Sequence, residues 1–122
     1  MLDLNTVMIG SDDPKSLSDF YTKVLGKPTL EDSAYVGWQA GSAWLMIGAH
    51  SDVKGRNEMP GRIMVNFETP DVKGEFDRLK ALGATVKQEP YQPGSAGGEM
   101  WLATLADPDG NYFQLASPMP TL

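Results

Sequence analysis

The chain repeats itself. Thr6 to Asp13 (TVMIGSDD) aligns with Met64 to Asp71 (MVNFETPD) at an offset of 58, and Leu25-Gly26 aligns with Leu82-Gly83 at 57. Identities in this frame are few: Val7/Val65, Asp13/Asp71, Lys15/Lys73 and the Leu-Gly pairs. What recurs is an order: an apolar strand, an acidic helix cap, a helix with one apolar stripe, a Leu-Gly stop and then short strands. A βαβββ module of about 55 residues cannot bury both faces of its own sheet, and pairing such units is the usual remedy. The 122 residues hold two modules within the size of one ordinary domain. The expected fold is therefore α+β, with two tandem βαβββ modules forming a curved sheet around a cavity and helices outside. Module one covers about residues 1–50, a linker about 51–61, and module two about 62–118.

Local signals support each element. Leu4–Gly10 is apolar and β-branched enough for a strand. Asp12-Asp13-Pro14 starts a helix whose stripe is Leu17, Phe20, Tyr21, Val24 and Leu25, and Gly26 stops it. Strands follow near Pro28–Asp32, Tyr35–Ala40 and Ala43–Ala49, the last two joined by a tight turn at Gly41-Ser42. Ser51–Gly61 is polar and marked by Gly and Pro, a linker by composition. Arg62–Glu68 reads as the opening strand of module two. Asp71 caps a helix with the stripe Val72, Phe76, Leu79 and Leu82, closed by Gly83. Strands are expected at Ala84–Glu89, Met100–Ala106 and Tyr112–Ala116, with a turn at Asp107–Asn111. Pro90–Gly98 reads equally as a lid or as an ordinary surface loop, with the flexible pair Gly97-Gly98 at its end.

Composition narrows the chemistry. Without cysteine there is no disulfide, thiolate metal site or cysteine nucleophile. With His50 as the single histidine, a histidine-rich metal centre within one chain is excluded. A net charge of −6 with no basic run argues against nucleic acid as a partner. No apolar run approaches a membrane span. The opening Met-Leu-Asp-Leu-Asn has no basic segment followed by an apolar one, so no secretion signal is expected and the cytoplasm is the expected compartment.

Strand alternation separates two faces. Val7, Ile9, Leu45, Ile47, Val65, Phe67, Phe113 and Leu115 suit a face packed under helices. The opposite face then carries Thr6, Met8, Trp44, Met46, Met64, Asn66, Tyr112 and Gln114. That mixture of methionine, aromatic and neutral polar groups has the character of a ligand site, mostly apolar with a few orienting hydrogen bonders. Trp38 and Trp101 join the candidate ligand-binding set, although both faces of their strands carry apolar residues and their parity is ambiguous. Tyr35 and Tyr91 are possible rim residues.

Two segments carry a family resemblance. FYTKVLG (Phe20–Gly26) and DPDGNYFQL (Asp107–Leu115) resemble the vicinal oxygen chelate superfamily, the group of glyoxalases, bleomycin-resistance proteins and extradiol dioxygenases. The resemblance covers essentially the whole chain and implies four metal-ligand positions, at Thr6, Met46, Met64 and Gln114. Of these, Gln114 alone has a ligand-type side chain. Hydroxyl and thioether groups are unsuited to the hard or borderline divalent ions such enzymes use. His50, four residues past Met46, lies about 13 Å further along its strand and reads as a solvated linker residue. Glu68 and Glu99 are other possible donors, but nothing in their spacing makes them converge. The expectation is a metal-free, cofactor-free protein resembling the bleomycin-resistance branch, binding an aromatic or planar small molecule as a homodimer. The alternatives are a divergent glyoxalase- or dioxygenase-like enzyme, with Gln114, Glu99 or Tyr112 in its chemistry, and a domain whose cavity is closed by its own side chains.

Overall fold

Both modules begin with the same capping device, built from residues at one offset. Ser11 Oγ accepts the Asp13 N–H at 3.0 Å, and the Asp13 carboxylate accepts the Ser16 N–H at 3.2 Å. Fifty-eight residues later, Thr69 Oγ1 accepts the Asp71 N–H at 3.1 Å and Asp71 accepts the Gly74 N–H at 3.0 Å. Each pair satisfies amide donors that a helix start leaves unpaired. The helices that follow are α1 (Pro14–Leu25) and α2 (Val72–Ala81), and Gly26 and Gly83 take the positive φ that ends them, at 93° and 100°.

This computed structural model describes residues 1–94 and 99–119. Its strands are β1 (Thr6–Ser11), β2 (Leu30–Glu31), β3 (Tyr35–Ala40), β4 (Ala43–Ala49), β5 (Val65–Glu68), β6 (Thr85–Tyr91), β7 (Leu102–Ala106) and β8 (Tyr112–Ala116). They form two four-stranded mixed sheets, in the orders β1-β4-β3-β2 and β5-β8-β7-β6. The first strand of each module runs parallel to its last, and the remaining pairs are antiparallel. The two tandem βαβββ modules are thus present, as a sheet for each rather than a single sheet. The chain divides into two compact units, Met1–Arg56 and Asn57–Leu122.

Each unit has its own core between helix and sheet. In the first unit Leu17, Tyr21 and Val24 of α1 are buried with Trp38, Leu45 and Ile47. In the second, Phe76 and Leu79 of α2 are buried with Ala103, Leu105, Phe113 and Leu115. These are the alternate positions of the strands, and the intervening residues form the more open face of each sheet, on which Thr104 and Ala106 are nonetheless buried.

Several boundaries differ from the sequence reading. β5 starts at Val65 rather than Arg62, because a turn closed by the Arg62 N–H on the Met59 carbonyl (3.1 Å) takes up the preceding residues. β6 continues through Pro90 to Tyr91, which an edge strand tolerates. β2 shrinks to two residues. The segment read as a linker is fastened on either side of its middle: within the first unit Gly55 donates to Asp12 Oδ2 (3.0 Å), and within the second Asn57 donates to the Asp109 carbonyl (2.9 Å). The Ser95–Gly98 part of the expected lid lies outside the described residues.

Candidate functional site

On the open face of the first sheet, register sets the side chains in rows. Met8, Met46, Gly37 and Leu30 form one continuous row across β1, β4, β3 and β2. On one side lies the row Thr6, Trp44, Gln39, and on the other Gly10, Gly48, Tyr35. Two glycines in these rows make room for their neighbours. The Met46 sulfur lies directly over Gly37, where a Cβ would otherwise stand. The Tyr35 ring lies across Gly48, 2.6 Å from the place a Cβ would take. Tyr35 is further fixed from below, since Asp32 Oδ1 accepts the N–H groups of both Ala34 and Tyr35, at 2.8 and 2.9 Å. These bonds, that from Tyr35 foremost, hold the Asp32 carboxyl below its ordinary 3.8. None of the three rows contains a charged side chain. Met8 is 45% exposed and Tyr35 41%, so the face offers methionine and aromatic surface to a partner.

The open face of the second sheet has the same geometry and different chemistry. Here the central row across β5, β8, β7 and β6 is Asn66, Gln114, Thr104 and Gln88. Gln114 Nε2 donates to Thr104 Oγ1 at 3.0 Å. Asn66 is exposed, and its amide makes no hydrogen bond among the described residues. The next row begins at Tyr112, opposite Ala106. Tyr112 also borders an open depression of about 430 Å³ whose other walls are Glu58, Met59, Pro60, Gly61 and Arg62. That volume is within the range of small-molecule sites.

The DPDGN turn holds this wall in place. The buried Asp107 carboxylate accepts the main-chain N–H groups of Asp109 and Asn111 and the Asn111 side-chain amide. Asn111 Oδ1 in turn accepts from Asn57 Nδ2 at 2.9 Å, and Asn57 Oδ1 accepts the Met59 N–H at 2.9 Å. A chain of hydrogen bonds therefore runs from the turn before Tyr112 to the segment facing it. Lys87 Nζ lies 5.6 Å from the centre of the Tyr112 ring.

Two tryptophans expected on the ligand faces lie elsewhere. Trp38 is only 2% exposed, its ring 6.4 Å from that of Tyr21 on α1 and its Nε1–H donated to the Gly26 carbonyl at 2.8 Å. It pairs in register with Leu45 and shares that residue's helix side. Trp101 sits just before β7 with Lys73 Nζ of α2 3.9 Å above its ring centre, a cation–π contact on the helix side. Of the remaining candidates, Thr6, Met8, Trp44 and Met46 share the first face, while Asn66, Tyr112 and Gln114 share the second. Met64 precedes β5 and is 38% exposed. Thr104, Gln88 and the Met59–Arg62 wall are functional candidates that the sequence reading did not single out.

The donor set at the implied metal positions does not fit a hard or borderline divalent ion. Thr6 offers a hydroxyl, Met46 a thioether turned onto Gly37 and Met64 a second thioether, so Gln114, whose Nε2 donates to Thr104 while its Oε1 stays open, is the one ligand-type group of the four. Among the described residues, no three His, Cys, Asp or Glu side chains converge. His50 packs against Gly10, and its Nδ1 accepts the Asp52 N–H at 3.1 Å. Glu68 Oε1 accepts the Met119 N–H at 3.3 Å, and Glu99 is exposed. No helix of the described residues is long and apolar enough to cross a membrane.

Comparison with known proteins agrees with this architecture. The family model of the glyoxalase-like domain matches residues 6–116. A glyoxalase-related enzyme from Fulvimarina pelagi is similar in structure at 18% identity, with 97% of this chain and 89% of that chain covered and a TM-score of 0.76. A glyoxalase/bleomycin resistance protein/dioxygenase family enzyme from Burkholderia phytofirmans PsJN has 23% identity, coverage of 97% and 100%, and a TM-score of 0.74. A lactoylglutathione lyase from Agrobacterium tumefaciens has 18% identity, coverage of 94% and 92%, and a TM-score of 0.70. At these identities the likeness is one of fold. No curated protein sequence is significantly similar to the chain.

Proposed function

The chain belongs to the glyoxalase-like domain family, and from its two sheet faces we propose that it is a small-molecule-binding protein that takes a planar, largely apolar ligand without a metal ion. The observation that carries this reading is the replacement chemistry at the implied metal positions. Two thioethers and a hydroxyl stand at three of the four positions, groups unsuited to a hard or borderline divalent ion but suited to packing an uncharged guest, and the Gln114 amide oxygen can orient one. The function is then of the drug-sequestering kind that the bleomycin-resistance resemblance implies. Each unit supplies a surface of its own: Trp44, Met8 and Met46 are adaptable and apolar on the sheet of the first, and Tyr112 is a stacking ring on the sheet of the second.

We further propose a homodimer. Each sheet ends in edge strands that a partner could extend, and Met8, Leu30 and Tyr35 leave apolar surface exposed on the first unit. The test of function is a titration of planar aromatic compounds followed by tryptophan fluorescence, paired with elemental analysis of the same sample. Quenching with no stoichiometric metal supports the reading. One divalent ion per chain together with turnover of a carbonyl or catechol substrate refutes it.

A further inference from the structure

The central rows of the two open faces occupy equivalent positions of the repeat. Met8 corresponds to Asn66, Met46 to Gln114, Gly37 to Thr104 and Leu30 to Gln88. The first row is wholly apolar and the second wholly neutral-polar. One backbone arrangement accepts both, so the fold itself does not demand amides in the second sheet. An amide row also gains little from lying on a sheet, where β-branched and aromatic residues are favoured.

We infer that the Asn66–Gln114–Thr104 row is a hydrogen-bonding subsite for an uncharged ligand that presents an N–H and a C=O on one edge, as a lactam, carboxamide or ureido group does; this rests on the small-molecule-binding reading above. Gln114 gives its N–H to Thr104, which leaves its Oε1 to accept a ligand N–H. Asn66 stands opposite Gln114 on the neighbouring strand, about 5 Å away at the main chain. Its unpartnered amide supplies a donor for the ligand C=O. No member of the row carries charge. A carboxylate or ammonium placed there would find no counter-ion in the row itself, the nearby charges being Lys87 beside the Tyr112 ring and Glu58 and Arg62 on the wall of the depression. Tyr112 heads the adjoining row and borders the open depression, so a ring fused to such an edge has an aromatic surface beside its hydrogen bonds.

The test uses the whole chain and three probes of one size: isoquinolin-1-one, its N-methyl derivative and 1-naphthoate. Affinities are read by calorimetry, and the side-chain NH2 resonances of Asn66 and Gln114 by NMR. The expected result is that isoquinolin-1-one binds at least fivefold more tightly than either comparator and shifts both NH2 resonances. The double substitution Asn66→Met with Gln114→Met installs the chemistry of the first row. It should abolish the preference for the free N–H while binding of the N-methyl probe persists. Asn66→Ala, at an exposed position, provides the same comparison if the double variant does not fold. Equal affinity for the lactam and its N-methyl derivative, or tighter binding of 1-naphthoate, overturns the inference and leaves the binding reading standing. No binding of any probe overturns both.

Discussion

Trp38 and Trp44 stand six residues apart on neighbouring strands of one hairpin, and their truncation to alanine should have very different consequences. Trp38→Ala empties a fully enclosed site against Tyr21 and removes the hydrogen bond to the Gly26 carbonyl. Truncating a buried large aromatic costs about 3–5 kcal/mol. The released carbonyl at the end of α1 adds up to about 1 kcal/mol. Against a total stability of roughly 5–15 kcal/mol, such a loss leaves the domain marginal or unfolded. At about 4 °C per kcal/mol for a chain of this size, the melting temperature should fall by roughly 15 °C or more. Trp44 is half-buried on the open face, where neighbours can settle into the vacated space. Its truncation should cost only about 1–2 kcal/mol. Thermal and urea unfolding followed by circular dichroism compares the two variants without relying on the fluorophore being removed. If Trp44→Ala proves as damaging as Trp38→Ala, the faces of the first sheet have been assigned the wrong way round. Trp38→Phe refines the test, because it keeps a ring against Tyr21 and loses the bond to Gly26.

Other consequences follow from particular contacts. Gly48→Ala should destabilise by about 1–3 kcal/mol through overpacking, since its Cβ meets the Tyr35 ring and stands 3.0 Å from the Ala34 carbonyl; displaced Tyr35 ring resonances in NMR spectra check it. Lys73→Ala should cost about 0.5–1 kcal/mol and change Trp101 emission, as the cation over that ring is removed; unchanged emission counts against the contact. Asp32 should titrate below 3.8 because its ionised form accepts two main-chain N–H groups. A group depressed in the folded state stabilises above its unfolded pKa, so its contribution is full above about pH 4 and fades as acid brings the pH down through the folded value. Wild type and Asp32→Asn should therefore converge in stability at low pH, and a constant gap refutes the assignment. Light scattering should return twice the 13.3 kDa of one chain; a monomer at high concentration refutes the dimer.

Much of the fold was legible because its signals are local. The acid caps at Asp13 and Asp71, the Leu-Gly stops and the alternation in β1, β4, β5 and β8 each report one element without long-range information. The repeat then fixes the order. The orientation of Trp38 was also recoverable. A two-residue turn at Gly41-Ser42 pairs Ala40 with Ala43, which sets Trp38 opposite Leu45, a residue whose parity already placed it under the helix. Trp101 offered no such signal, because its cation comes from Lys73 on a different element. Thr104 was hidden in LATLA, a strand apolar on both faces, and it emerges only through its pairing with Gln114. Gln88 was hidden by irregularity: register shifts on both sides of it in β6 break the period of two from which faces are read. The wall at Met59–Arg62 is Gly/Pro-marked like any loop. The hydrogen bonds from Asn57 to Asn111 and to the Asp109 carbonyl reveal that it is held beside Tyr112.

Binding without a metal is the central claim, and one titration addresses it directly. Isoquinolin-1-one is added by calorimetry to protein exhaustively treated with chelator, and then to the same protein supplied with zinc, manganese or nickel. Equal affinity and stoichiometry are expected in every sample, with no divalent ion retained in stoichiometric amount after desalting. Binding that appears only after metal is restored, with one ion held per chain, would contradict the claim.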